Sequence, residues 1–273
     1  MSLLEEGTSE DSEDIWIKQL PRGPFSRLTT DAKENVRPRW TPDGRAITYL
    51  SRRSGVGVGE ADVWKMRADG IGEPELLLDA DVELWEAVLS PDEEWIVART
   101  GGQRQQGGGR DVVVGRRGNT DPTPLIVTDF DEKAIALSPD GRWLAHESDE
   151  TGRNEIHVRP FPDVERGRFP VSQQGGVMPV WARTGNELFF VDANDQMVSA
   201  VFEADSVFRV VELNVLFTLP PNLLFNQNEF YSLFDVAPDD QRFVWMQSTL
   251  EQNARELILI DNWAEELRRA GGN

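Results

Sequence analysis

The sequence predicts an all-β fold built from repeated four-stranded antiparallel sheets, and three observations carry that expectation. A short pattern recurs five times in 273 residues: an apolar run, a Pro-Asp-Gly-like turn, and a second apolar run. The copies keep phase. The turn prolines Pro42, Pro91, Pro139 and Pro238, with Arg183 at the same place in the fourth copy, are spaced by 49, 48, 44 and 55 residues. Helix-period patterning is absent until the last dozen residues. Four short strands per repeat of this length are the signature of a β-propeller blade, because a lone four-stranded sheet cannot bury both faces and must stack on its neighbours.

In chain order the hairpins read RWTPDGRAITYLS from Arg39, VLSPDEEWIVART from Val88, ALSPDGRWLAHES from Ala136, the degenerate VWARTGNELFFVD from Val180, and DVAPDDQRFVWMQ from Asp235. In each, Pro sets φ near −65° at the second turn position, Asp accepts hydrogen bonds from amides just ahead, and Gly tolerates positive φ. The flanks are rich in Ile, Val, Phe, Trp and Leu, which suit strands. A third strand follows each hairpin: 62–66, 111–114, 155–158, 197–201 and 256–260. A fourth is expected at 75–78, 125–127, 169–171 and 213–217. Two more strands, 14–20 and 25–30, precede the first hairpin. Five hairpins thus give five blades and leave half a blade over. Either Phe25–Thr30 closes the last blade of a five-bladed ring, which the count favours, or the ring has six blades with one incomplete. Residues 1–12 are expected as an acidic tail or expression remnant, 13–262 as the propeller, and 263–273 as a short helix with Trp263 and Leu267 one turn apart.

Composition excludes several function classes. Lys plus Arg number 28 against 48 Asp plus Glu, a net charge of −20, so phosphate neutralisation along nucleic acid and docking on an anionic membrane are both disfavoured. There is no Cys, which removes disulfides, thiol nucleophiles and thiolate metal sites. Arg outnumbers Lys by 24 to 4, from codon bias in a GC-rich genome or from adaptation to high salt. The start, MSLLEEGTSEDSED, has neither the basic nor the apolar part of a signal peptide, and no run approaches 18 apolar residues.

The in-phase SPDG-type hairpins resemble the WD-like β-propellers of the TolB class over residues 13–270. The stretches YSLFDVAPDDQRFVWM from Tyr231 and LILIDNWAEELRRAGG from Leu257 resemble the ends of propellers appended to bacterial Ser/Thr protein kinases and related regulators. The resemblance implies six blades, a sensor or scaffold role in a bacterial multidomain protein, and a periplasmic or extracytoplasmic location. The fourth copy departs from the pattern by lacking Pro-Asp, which blurs its blade boundary.

Ligands usually approach a propeller at the mouth of its channel, and residues five to seven places before each turn proline are expected there. They are Asn35, Arg37, Glu86, Glu132, Lys133 and Tyr231, a polar mix that suits a protein, a peptide or a small ligand. A channel wall that meets water needs polar side chains in any case. The basic loop GGQRQQGGGR from Gly101 and the apolar LPPNLLFNQNEF from Leu219 are further candidates, as a binding loop and a partner patch or edge cover. Catalytic signals are poor. His146 and His157 are the two histidines, both in strand-like runs where they face one another across a sheet as packing. There is no HExxH, no GxSxG elbow, no GxGxxG or Walker loop and no kinase catalytic region. Carboxylate runs such as 129–132 and 192–195 fit no EF-hand loop. The expectation is a non-catalytic module that binds a protein or peptide partner, without metal or cofactor. The rivals are a propeller hydrolase of glycosidase or lactonase type, and the propeller half of a prolyl-oligopeptidase-like peptidase whose α/β-hydrolase domain lies outside these residues.

Overall fold

A computed structural model of the chain describes residues 2–6, 13–20, 23–31, 34–52, 61–80, 82–101, 110–119, 121–205, 207–220, 233–248 and 255–261. These residues form six antiparallel sheets. The first contains β1 (Ser2–Glu6), β2 (Glu13–Lys18) and β3 (Phe25–Arg27). The second runs in chain order through β4 (Glu34–Trp40), β5 (Ala46–Arg52), β6 (Ala61–Arg67) and β7 (Glu75–Leu78). The third does the same through β8 (Leu84–Leu89), β9 (Trp95–Thr100), β10 (Val112–Arg116) and β11 (Thr123–Ile126). The fourth contains β12 (Glu132–Leu137), β13 (Trp143–Ser148), β14 (Glu155–Pro160) and β15 (Phe169–Pro170). The fifth contains β16 (Gly176–Trp181), β17 (Glu187–Asp192), β18 (Gln196–Ala204) and β19 (Phe208–Thr218), and the last contains β20 (Phe234–Val236), β21 (Arg242–Ser248) and β22 (Arg255–Asp261).

The leftover strands are thereby placed. Phe25–Arg27 pairs with β2, with Trp16 opposite Arg27, and the first sheet gains β1 on its other side, with Leu4 opposite Ile15. Phe25–Thr30 is therefore not the closing strand of the last sheet, whose order is β20-β21-β22. Hydrogen bonds from the Leu28 amide to the Ile15 carbonyl (2.7 Å) and from the Ile15 amide to Thr29 Oγ1 (2.9 Å) fix this segment beside β2. Six sheets, two of them three-stranded, match the alternative with an incomplete blade. The segment 263–273, expected as a helix, lies outside the described residues, as do Tyr231 and most of both candidate loops.

The turns form as their residues require. Thr41, Ser90 and Ser138 each donate a hydroxyl hydrogen bond to the carboxylate two residues on, Asp43 (2.6 Å), Asp92 (2.5 Å) and Asp140 (2.6 Å). The same carboxylates accept from the amides of Arg45, Glu94 and Arg142 at 3.0, 3.1 and 3.1 Å. The position after the Asp has positive φ: 68° at Gly44 and 70° at Gly141, but also 59° at Glu93 and 55° at Asp240. The degenerate fourth turn is held from outside. Asp240 accepts from the Arg183 amide (2.6 Å), the Thr184 amide (2.8 Å) and the Thr184 hydroxyl (2.6 Å). A carboxylate of the fifth copy thus serves where the fourth lacks its own.

The chain divides into two compact units, residues 1–135 and 136–273. The core of the first is aliphatic. Val36, Leu50, Val63 and Leu78 of the second sheet form one buried cluster with Leu84, Ala87, Ile96 and Ala98 of the third. The sheets approach closely enough that a Cβ on Gly115 would stand 2.7 Å from Leu78 Cδ1, so a side chain there would have to displace the end of Leu78. The core of the second unit is aromatic. Phe234 stacks on Trp245 with centroids 4.8 Å apart, and Phe189 meets Phe243 edge-on at 5.0 Å. In a separate cluster Trp181 meets Phe202 edge-on at 5.3 Å while its indole N–H donates to the Ala136 carbonyl (3.0 Å). Such ring pairs contribute about 0.5–1.5 kcal/mol each beyond their buried area.

Candidate functional site

The first strands of the second, third and fifth sheets carry a β-bulge. Each has one extra residue: Arg37 and Pro38 of β4 stand against Tyr49 alone, Met178 and Pro179 of β16 against Phe190 alone, and Trp85 of β8 against none. Arg37 (φ 58°) and Met178 (φ 59°) sit in the left-handed region at these bulges, and Ala134 (φ 49°) does so in β12. A bulge re-aims the side chain it carries. Arg37, Ala134 and Met178, with Glu86 just after the Trp85 bulge, all stand five residues before the turn proline position, so the first four repeats present different groups at one place.

In the first unit the device assembles charge. Glu86 is buried and lies opposite Arg99 across β8 and β9. Arg39 donates to Glu86 Oε1 at 2.7 Å, and the buried Arg99 places Nε 3.7 Å from Oε2. The Ile135 amide donates to Oε2 at 3.3 Å, which ties Glu86 to the residue after the Ala134 bulge. Arg37 lies 5.9 Å from the Trp85 ring centroid, and Arg52, ion-paired with Glu34 at 2.5 Å, lies 5.0 Å from the same ring. Arg110 pairs with Asp131 at 3.2 Å.

The electrostatics follow from this crowding. Burial pushes the Glu86 carboxyl above its ordinary range, against the pull of Arg39, Arg99, the Ile135 amide and Arg37. Burial also lowers the Arg99 guanidinium to about 10; Glu86 and Asp131 oppose the shift, while Arg110 and Arg37 add to it. Asp111 is raised by burial and by nearby Glu132.

Two of the six expected residues, Arg37 and Glu86, come together here. Asn35 is fully buried and donates from Nδ2 to Asp31 (2.7 Å), a tie beneath the strand. Glu132 is buried and accepts from the Thr128 hydroxyl (2.8 Å), and Lys133 is buried beside it in sequence. Arg39 and Arg99 belong to this charged cluster, and the five-to-seven window misses both. Arg39 is three places before Pro42, and Arg99 is on the second strand, brought in by cross-strand register. The signal for Arg99 was available as a lone charge in the apolar run Trp95-Ile96-Val97-Ala98-Arg99. In the second unit His146 and His157 are direct cross-strand partners with ring centroids 5.8 Å apart, the packing arrangement expected of them.

Among solved structures, TolB from Acinetobacter baumannii is similar over 92% of this chain and 57% of its own, with a TM-score of 0.62 at 15% identity. The chain has the fold of a TolB-like β-propeller. A chain of the nidogen/laminin complex is similar over 92% of this propeller and 86% of its own length, with a TM-score of 0.58 at 14% identity. In sequence, 83 residues are 34% identical to the uncharacterized peptidase YuxL of Bacillus subtilis. That segment spans 30% of this propeller and 12% of the peptidase. No protein-family model matches the chain.

Proposed function

We propose that this propeller is a non-catalytic module that binds a protein or peptide through the charged first-strand cluster of residues 31–135. One observation carries the reading: Arg39 and Arg99 reach the buried carboxylate of Glu86, next to a half-buried Trp85 that Arg37 approaches at 5.9 Å. Arg and Trp are the side chains most enriched at energetic centres of protein interfaces. The carboxylates of the cluster are engaged with arginines, backbone amides or hydroxyls, which favours recognition over acid–base work. The nidogen/laminin complex supports the reading as a protein assembly that contains a chain of similar fold. The module belongs, in this reading, to an extracytoplasmic part of a larger bacterial protein.

The test is affinity capture of a partner by the wild-type chain, by Arg39→Gln, and by Arg209→Gln, an exposed arginine of β19. Capture lost in Arg39→Gln and kept in Arg209→Gln is the expected result. A partner retained equally by all three contradicts the placement. A second reading, the propeller part of a peptidase, is favoured by the 83-residue match to YuxL. Turnover of peptidyl anilides by the chain joined to its natural flanking sequence would support it.

A further inference from the structure

Outside the cluster around Glu86, the outer rim of the fifth sheet is the part of the described surface that folding explains least. β19 is its outermost strand and has eleven residues. The outermost strands of the second, third and fourth sheets, β7, β11 and β15, have four, four and two. A short edge strand leaves little template for an added strand, and β19 lacks that protection. Its pairing with β18 carries two extra residues, Val211 and Leu216. Between them, residues 212–215 run unbroken against Val201, Ala200, Ser199 and Val198, a run as long as β7 or β11.

The side chains of this run divide by face. Leu213 and Val215 stand opposite Ala200 and Val198, which belong to the apolar cluster of Trp143, Val158 and Trp181. They carry that core out to the rim, yet Leu213 is 51% and Val215 49% exposed. With β15 only two residues long, the fourth sheet gives them little cover. Phe169, Phe208, Val211 and Leu213 line a groove of about 510 Å³ between β15 and β19. The other face of the run carries Glu212, exposed, and Asn214.

These features fix the chemistry of an occupant. An open strand edge takes up an extended main chain through hydrogen bonds, and alternate side chains give the specificity. On the groove face, Leu213 and Val215 match apolar side chains. On the other face, the Glu212 carboxylate matches a lysine or arginine. A second copy of the chain is disfavoured, because each copy carries a net charge of −20. We propose that residues 212–215 of β19 form a docking edge for an extended segment of a partner protein, with apolar and basic residues in alternation, which adds a fifth strand to this sheet. The inference is independent of the Glu86 cluster, which belongs to the other unit.

The test is fluorescence anisotropy of a labelled, end-blocked hexapeptide of alternating valine and lysine, titrated with the full chain. Its controls are the same peptide with a central valine replaced by proline, and one with glutamate in place of lysine. The valine–lysine peptide is expected to bind with submillimolar affinity and both controls at least fivefold more weakly. The proline control keeps the charge, so non-specific attraction to an acidic chain would bind it equally. Leu213→Asn and, separately, Val215→Asn should each weaken the peptide at least threefold, while Val127→Asn, at an exposed valine of the first unit, leaves it unchanged. Melting curves of each variant report folding, so that a variant which unfolds is replaced by the other. Self-association of the chain in sedimentation, abolished by Leu213→Asn and without peptide binding, contradicts a partner segment and assigns the edge to a second copy. No binding of the peptide, equal binding of the proline control, or binding that both β19 variants retain overturns the docking edge.

Discussion

In the first unit the bulge of β4 presents Arg37, and that of β8 precedes Glu86, beside Arg39 and Arg99. In the second, the same bulge in β16 presents Met178, fully buried with Val180, Phe189, Phe234 and Trp245. The backbone is alike in both: positive φ near 58°, two residues set against one on the partner strand, five places before the turn. Even the carboxylate brace recurs, with Glu86 on the Ile135 amide (3.3 Å) and Glu147 on the Met178 amide (2.6 Å). The left-handed backbone at Arg37 is therefore architecture, not strain reserved for a site. What differs is the side chain the bulge carries, an arginine in the first unit and a buried methionine in the second.

Exchanging the two side chains tests this most severely. Met178→Arg forces a guanidinium into a packed apolar cluster whose neighbouring carboxylate, Glu147, already accepts from the Met178 amide, and is expected to destabilise by about 4 kcal/mol or more, read by denaturant unfolding. Glu86→Gln leaves Arg39 and Arg99 without their shared carboxylate, and an expected loss of about 3 kcal/mol follows for a broken buried pair. A loss below about 1 kcal/mol would mean that solvent screens the cluster after all. Asp240→Ala removes three hydrogen bonds that hold the fourth turn, with an expected loss of about 2 kcal/mol. Asp239→Ala, in the same turn but exposed, should stay below about 1 kcal/mol, which separates the brace from ordinary turn chemistry. Arg37→Met forfeits a cation–π contact and is expected to cost about 0.5–1 kcal/mol, the smallest change of the series.

Acid distinguishes turns from cluster in another way. The Thr41 hydroxyl and Arg45 amide hold Asp43 below its ordinary 3.8, and the Ser90 hydroxyl and Glu94 amide do the same for Asp92. At Asp140 burial opposes the shift, but the Ser138 hydroxyl and the Arg142 amide and guanidinium outweigh it. A carboxyl lower in the folded than in the unfolded chain stabilises fully above 3.8, and that support is lost as pH falls through the folded value. Melting temperature is thus expected to hold from about pH 7 to about pH 5 and to fall below about pH 4. Asp43→Asn, Asp92→Asn and Asp140→Asn together should flatten that acid limb.

Much of the fold was legible because its signals are local. Pro, Asp and Gly at fixed offsets dictate most of the turns, and apolar runs dictate the flanking strands, which are buried along their length. The place of Phe25–Arg27 was not legible, because strand pairing depends on which edge is near: it takes one edge of β2, and the other goes to β1, a strand that an acidic stretch does not advertise. The site was half legible. Arg37 and Glu86 follow from phase relative to the turn proline. Arg99 enters through cross-strand register, and Arg39 through the extra residue of a bulge, neither of which residue types reveal. Asn35 and Glu132 show the converse: polar residues in phase that the fold uses for its own hydrogen bonds.

The most direct test of the account is to measure stability and partner capture together in Arg37→Met. A melting temperature within a few degrees of wild type with capture weakened at least fivefold is the predicted result. Unchanged capture with a melting temperature lowered by ten degrees or more would show that Arg37, like Met178, serves the fold.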